Sequence, residues 1–289
     1  MRLATRKVST LFYSLISNIT LSAPKIRILC PMNAGKIGTS PFFKSRRVFA
    51  HYRDTFMKSE MYSTHAEQYD LAVQDNLYNA HFERPNLQAM LDNLTGKNVL
   101  DLGCGSGVYA QFLLDSGAAE VTCIDASQAM IDIVSRKFSD RVTAYAQDLS
   151  QGVPQEASDS KDVIICPLML HYIEDLTSLF KDAYRVLKSG GYMVFSTHHP
   201  FSDFDYSTSG DYFEREPVID LWNTVGEPVE VHFFRRSLTE LLGAVTQSGM
   251  LISHVSEGIV GEKIKMLSPE TYQSMRRQPP FIFVKCQKM

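Results

Sequence analysis

Apolar residues along the chain follow two periods in turn. Short β-branched runs end in an acid or a glycine, and most are followed by stretches with apolar residues three and four apart. Val99-Leu100-Asp101-Leu102 predicts a first buried strand, and Tyr109 to Leu114 a helix that Gly117 ends. Val121 to Ile124, closed by Asp125, predicts a second strand. Ser127 can cap the next helix, whose inward face is Met130, Ile133, Val134 and Phe138. Arg141 to Tyr145 predicts a third strand, Asp162 to Cys166 a fourth and Tyr192 to Thr197 a fifth. Between the last two lies a helix with Leu176, Leu179, Phe180, Ala183, Val186 and Leu187 inward, stopping at Gly190-Gly191. Strand–helix alternation at this spacing predicts an α/β fold with a parallel, doubly wound sheet.

Residues 59–95 read as helical, with Tyr62, His65, Ala66, Tyr69 and Asp70 at helical spacing and Leu87, Met90, Leu91 and Leu94 as an apolar stripe. The strand–helix rhythm breaks over 198–236, a long segment rich in aromatics and acids. Such a connection inside a compact domain predicts a lid or substrate-binding insertion after strand five. Ser237-Leu238-Thr239-Glu240 is a capping box for a helix ending at Gly249. Leu251 to Ser256 and Pro280 to Cys286 predict the last two strands.

Composition narrows the function. The chain has 289 residues, 44% hydrophobic and 21% charged, a balance that fits one sizeable α/β domain with appendages. No stretch is long enough to cross a membrane as a helix. Its five cysteines are scattered without C-x-x-C spacing, which predicts a reducing compartment and neither a disulfide framework nor a metal site. The net charge of −3 hides an asymmetry. Residues 1–53 hold Arg2, Arg6, Lys7, Lys25, Arg27, Lys36, Lys44, Arg46, Arg47 and Arg53 with no acid, leaving 19 basic against 32 acidic side chains beyond them. So acidic a body is repelled by phosphate backbones and anionic lipid, so neither nucleic acid nor membrane is an expected partner. The basic, Ser/Thr-rich segment 1–56 has two readings: an organelle transit peptide, or an extension ahead of a true start at Met57 or Met61. Either way it is expected to be disordered, with 57–289 as the folded domain. The first reading places the protein in mitochondrion or plastid, the second in the cytoplasm.

The chemistry centres on Val99-Leu100-Asp101-Leu102-Gly103-Cys104-Gly105-Ser106-Gly107. A buried strand hands over to a turn where glycines let the backbone approach a ligand, at a helix N-terminus. Asp101 can accept from ligand donors. The dinucleotide fingerprint needs glycine at the first, third and sixth positions of such a turn, and Val108 occupies the sixth. An acid just ahead of the turn suits a cofactor with a cationic amino-acid end better than a pyrophosphate. Asp125, about 20 residues on, can accept from both hydroxyls of a ribose.

This run resembles motif I of the class I S-adenosylmethionine (SAM)-dependent methyltransferases, and the resemblance extends over about residues 60–289. It implies a Rossmann-like sheet of about seven strands whose last strand is antiparallel, with SAM as cofactor. It implies cofactor contacts from Asp101, Gly103, Cys104, Gly105, Ser106 and Gly107, from Asp125, Ala126 and Met130, and from Asp148, Leu149 and Cys166. The phrase from Tyr62 to Asp70 resembles a helix that lids the cofactor, so Tyr62 and Tyr69 are candidate acceptor-side residues. His171 and Tyr172, after the fourth strand, are candidates for base or acceptor-orienting group. His198 and His199, after the fifth, border the same crevice. Arg235 or its neighbour Arg236 could hold an anionic acceptor. Cys166-Pro167-Leu168-Met169 stands where base and glutamine methylases carry Asn-Pro-Pro-Tyr. The expected activity is methyl transfer to a small molecule. A nucleic-acid or protein methyltransferase, or a SAM-binding protein without turnover, are the alternatives. Sequence leaves the oligomeric state open.

Overall fold

The computed structural model describes residues 59–289. Residues 1–56, read above as an extension, lie outside them. Seven strands form one sheet: β1 (Asn98–Leu102), β2 (Glu120–Asp125), β3 (Thr143–Ala146), β4 (Lys161–Cys166) and β5 (Leu187–His198), then β8 (Leu251–Ser256) and β9 (Phe281–Gln287). Their order is β3-β2-β1-β4-β5-β9-β8. β1 to β5 are mutually parallel, and β9 runs antiparallel to both neighbours. The chain thus has the doubly wound Rossmann-like sheet with an antiparallel last strand.

Alternate residues of each central strand serve two cores, which is why these strands read as continuous apolar runs. Leu100, Leu102, Ile164 and Cys166 face one side with Phe180 and Leu179, while Val99, Val163 and Ile165 face the other with Leu113 and Val134. The third strand starts two residues later than its β-branched pattern suggested, because Ser139–Arg141 closes the preceding helix as a 3-10 turn. The fifth starts earlier, at Leu187, and passes through Gly190-Gly191, where Gly190 takes φ of +77°. Among the described residues no helix is long and apolar enough to cross a membrane.

Two regions depart from the sequence reading. Residues 59–95 are not continuous helix: a polar bend separates the turn Glu60–Tyr62 and helix Ala66–Ala72 from a π-turn, Asn79–Glu83, that runs into helix Arg84–Gln88. Asn76 makes the bend, its side-chain carbonyl accepting from the N–H groups of Asn79 and Ala80. Segment 198–236 contains a second, two-stranded sheet, β6 (Glu216–Trp222) antiparallel to β7 (Val229–Arg235). Val229 and Val231 of this hairpin pack with Met61, and Tyr62, Tyr69 and Tyr172 close around them. The hairpin therefore props the N-terminal segment over the carboxyl edge of the main sheet.

Candidate active site

A cavity lies at that edge, where the loops after β1, β2, β3 and β4 meet, the expected ligand crevice of an open α/β sheet. Gly103, Gly105 and Gly107 all have positive φ, so the turn after β1 needs glycine. A Cβ on Gly103 would sit 2.5 Å from Met169 Cγ, and one on Gly107 2.6 Å from Phe138 Cε2. At Gly105 a Cβ would meet nothing within 4 Å, since this glycine faces the cavity. Asp125 ties the turn to β2, its Oδ2 accepting from Gly105 N at 2.9 Å and its Oδ1 from Ser127 N at 2.8 Å. Each oxygen keeps a further lone pair for a ligand hydroxyl. Burial raises the Asp125 carboxyl, while the backbone N–H groups of Ser127, Gly105 and Ala126 pull it down.

Of the expected residues, Gly103, Cys104, Gly105, Ser106, Asp125, Ala126, Asp148, Leu149, Tyr62, Tyr69 and Tyr172 line the cavity. Asp148 does so while its Oδ1 accepts from Ser150 N, so its backbone-turn role and its wall position coexist. Asp101, Gly107, Met130, Cys166, His171, His198, His199 and Arg235 are not on its wall. Met130 and Cys166 are fully buried core residues. Arg235 is a correction to the anionic-acceptor reading: it is 1% exposed and ion-paired to Glu216, bonded also to Ser207 and to the Asp211 carbonyl. His199 accepts from Phe201 N and pairs with Glu257 at 2.9 Å, a helix-capping position. His171 lies one residue behind the wall. Burial, then His198 and Arg236, push its imidazole well below the usual range, so it is neutral.

The sequence reading missed Glu83 and Arg84, which line the same cavity. Glu83 is 3% exposed and accepts from the Tyr109 hydroxyl (3.0 Å) and the Ser196 hydroxyl (2.7 Å). The available signal was an Glu-Arg pair set against Phe82 and Leu87 just before Pro85. Arg84 donates through Nη2 to the Val73 carbonyl, and its buried Nε has no protein partner. Both oxygens of fully buried Asp101 lack a partner as well, as does Ser106 Oγ. On the wall, the Glu83 carboxyl beside the Arg84 guanidinium with its orphaned Nε is the complement of a zwitterion, an ammonium beside a carboxylate. The lining therefore fits SAM: Asp125 offers acceptors suited to a ribose, and Arg84 and Glu83 offer a cation and a carboxyl suited to an amino-acid end, while Asp101 lies behind the wall.

These acids also set a pH dependence. Burial pushes the Glu83 carboxyl up from 4.5 to about 7, against the Ser196 and Tyr109 hydroxyls and Arg84, which lower it. The folded state thus holds its proton more tightly than the unfolded chain, so this stabilisation is complete below pH 4.5 and is lost as pH rises to about 7. Asp101, raised by burial and by the nearby Asp125 and Glu83 carboxylates, adds in the same direction. Unfolding of the donor-free protein should therefore occur at progressively lower urea across that window, and Glu83→Gln should flatten part of the slope. An unchanged slope in the variant would show that Glu83 titrates normally.

An open parallel sheet that presents an acid, a glycine turn and a ribose-type acid at its carboxyl edge is the scaffold of adenosyl-ligand-binding α/β enzymes. Residues 100–195 match the model of a methyltransferase domain. The structure is similar to that of an S-adenosylmethionine dependent methyltransferase from Mesorhizobium loti, with TM-score 0.58 and 28% identity over 71% of this chain and 97% of that one. An uncharacterized protein of Haemophilus influenzae is 25% identical over 232 residues, 73% of this chain and 89% of its own. A ubiquinone biosynthesis O-methyltransferase of Pseudomonas fluorescens is 34% identical over 107 residues, which are 36% of this chain and only 46% of that enzyme. The chain is a class I SAM-dependent methyltransferase.

Proposed function

We propose that the protein methylates a small-molecule acceptor that enters beneath the N-terminal segment. The observation that carries this reading is the Tyr62 bridge. The Tyr62 carbonyl accepts from the Ser127 hydroxyl after β2, and its own hydroxyl lies 2.5 Å from that of Tyr172 after β4. One residue thus spans the crevice, with Tyr69 edge-on to its ring at 5.0 Å. A polymer strand would have to displace this bridge, whereas a small molecule fits under it. The acidic balance beyond residue 53 opposes a nucleic-acid acceptor. The name of the Pseudomonas enzyme, an O-methyltransferase of ubiquinone biosynthesis, supports the same acceptor class.

When bound, SAM supplies a methyl on a sulfonium for in-line displacement. The protein's part is to align the acceptor and exclude water. Burial holds the hydroxyls of Tyr62, Tyr69 and Tyr172 well above the ordinary tyrosine range, so they act as neutral donors and acceptors rather than bases. Tyr172→Phe should lower kcat/KM for the acceptor about 5- to 10-fold, the worth of one hydrogen bond, with little change in SAM affinity. Loss of SAM affinity instead would place Tyr172 at the donor.

The reading is tested by following S-adenosylhomocysteine release from SAM with fractionated small-molecule extracts, tRNA and bulk protein as acceptors. Turnover with the small-molecule fractions is expected. Turnover confined to tRNA or protein would contradict it.

A further inference from the structure

Behind the Tyr172 wall lies a second, smaller cavity lined by His171, Thr197, His198, Asp203, Phe234 and Arg236, among others. It has room for about one water molecule, or one oxygen of a small oxyanion. His171 (3% exposed) stacks on His198 with ring centroids 3.8 Å apart, and Arg236 (5% exposed) lies between the segment after β7 and the β4 loop. Three of the lining nitrogens have no hydrogen-bond partner: His171 Nε2, His198 Nδ1 and Arg236 Nη1. Leaving three such groups unpaired is costly unless something fills the space between them. Arginine only donates, so the missing partner must accept.

Resting on the small-molecule reading above, we propose that this pocket receives a carboxylate oxygen of the acceptor and thereby selects carboxylic acids. Two features support an anion rather than only a water. Arg236 is the arginine left over after Glu216 claims Arg235. Its acid, Glu240, stands 3.7 Å from Nη1, beyond hydrogen-bond range, and is closer to Arg215 at 3.2 Å. Asp203, the acid on this wall, turns its Oδ1 to His198 Nδ1 at 3.4 Å, which leaves Arg236 Nη1 as the open donor. The pocket is also one residue from the donor cavity. His171 lines the first and Tyr172 and Ile173 the second, and Arg236 Nη2 donates to the Ile173 carbonyl. A carboxylate held here would fix the acceptor against Tyr172.

Formate is the smallest carboxylate and can present the single oxygen that the pocket has room for. It is titrated into the full-length protein loaded with S-adenosylhomocysteine, while the ring resonances of His171 and His198 are followed by NMR. Both should shift and saturate, and Arg236→Gln should weaken the effect about tenfold, as losing a charge-assisted pair does, without changing SAM affinity. Resonances that do not move in wild-type protein that binds SAM, or that move equally in Arg236→Gln, would overturn the proposal. Failure of wild-type protein to bind SAM would instead sink the methyltransferase reading. In turnover screens, carboxylic acids should be methylated and their primary amides not. Equal turnover of the amides would assign the pocket to a free anion and overturn its role in acceptor choice.

Discussion

Asp125→Ala is expected to weaken SAM binding about 10- to 100-fold, or about 1–3 kcal/mol, in a calorimetric titration against the parent. The carboxylate is buried, and each of its oxygens already accepts one backbone N–H, from Gly105 and from Ser127. Removing it would delete the acceptor proposed for the ribose hydroxyls and also untie the glycine turn after β1 from β2. Two losses in one substitution make this the largest effect on the donor. Asp125→Asn keeps the shape and one acceptor oxygen and should fall between. An affinity within threefold of the parent would show that the ribose is held elsewhere.

Arg235→Ala should destabilise the protein by about 3–5 kcal/mol in urea unfolding, because it leaves a buried carboxylate without its counter-charge. Glu216 also accepts from the Ser207 and Thr208 hydroxyls and from Ser209 N, so the loss should lie toward the lower figure. Those donors and Arg235, acting against burial, lower the Glu216 carboxyl from 4.5 to about 2. The stabilisation is therefore complete above pH 4.5 and disappears as pH falls toward 2. SAM affinity should change little, since Arg235 is not on the donor cavity wall. Unfolding at the parent's urea concentration would mean that the hairpin does not depend on this pair.

The contrast between these residues shows what was legible in the sequence. Gly103, Gly105 and Asp125 could be placed at the cavity because their positions are local: a positive φ after a buried strand demands glycine, and a strand-end acid twenty residues on faces the same edge. Arg235 and Arg236 could not be separated. They are adjacent at the end of β7, and only tertiary packing against Glu216 and the β4 loop gives one a partner and leaves the other a free nitrogen. The histidines failed for the same reason. His171 follows β4 as expected, but the main chain turns its ring away from the donor cavity and presents Tyr172 instead. The β6–β7 hairpin hid because Pro217, Ile219 and Leu221 face outward while Val218 is buried, so alternation carries no signal there. Glu83 was hidden because it ends the π-turn Asn79–Glu83, whose wider period turns a charged residue inward beside Phe82 where an α-helical pattern does not anticipate it.

The account rests on SAM occupying the cavity after β1, and calorimetric titration of SAM and of NAD into the full-length protein tests it most directly. One equivalent of SAM should bind and NAD should not, because Val108 replaces the third glycine of the dinucleotide fingerprint. Binding of NAD, or of neither ligand, would contradict it.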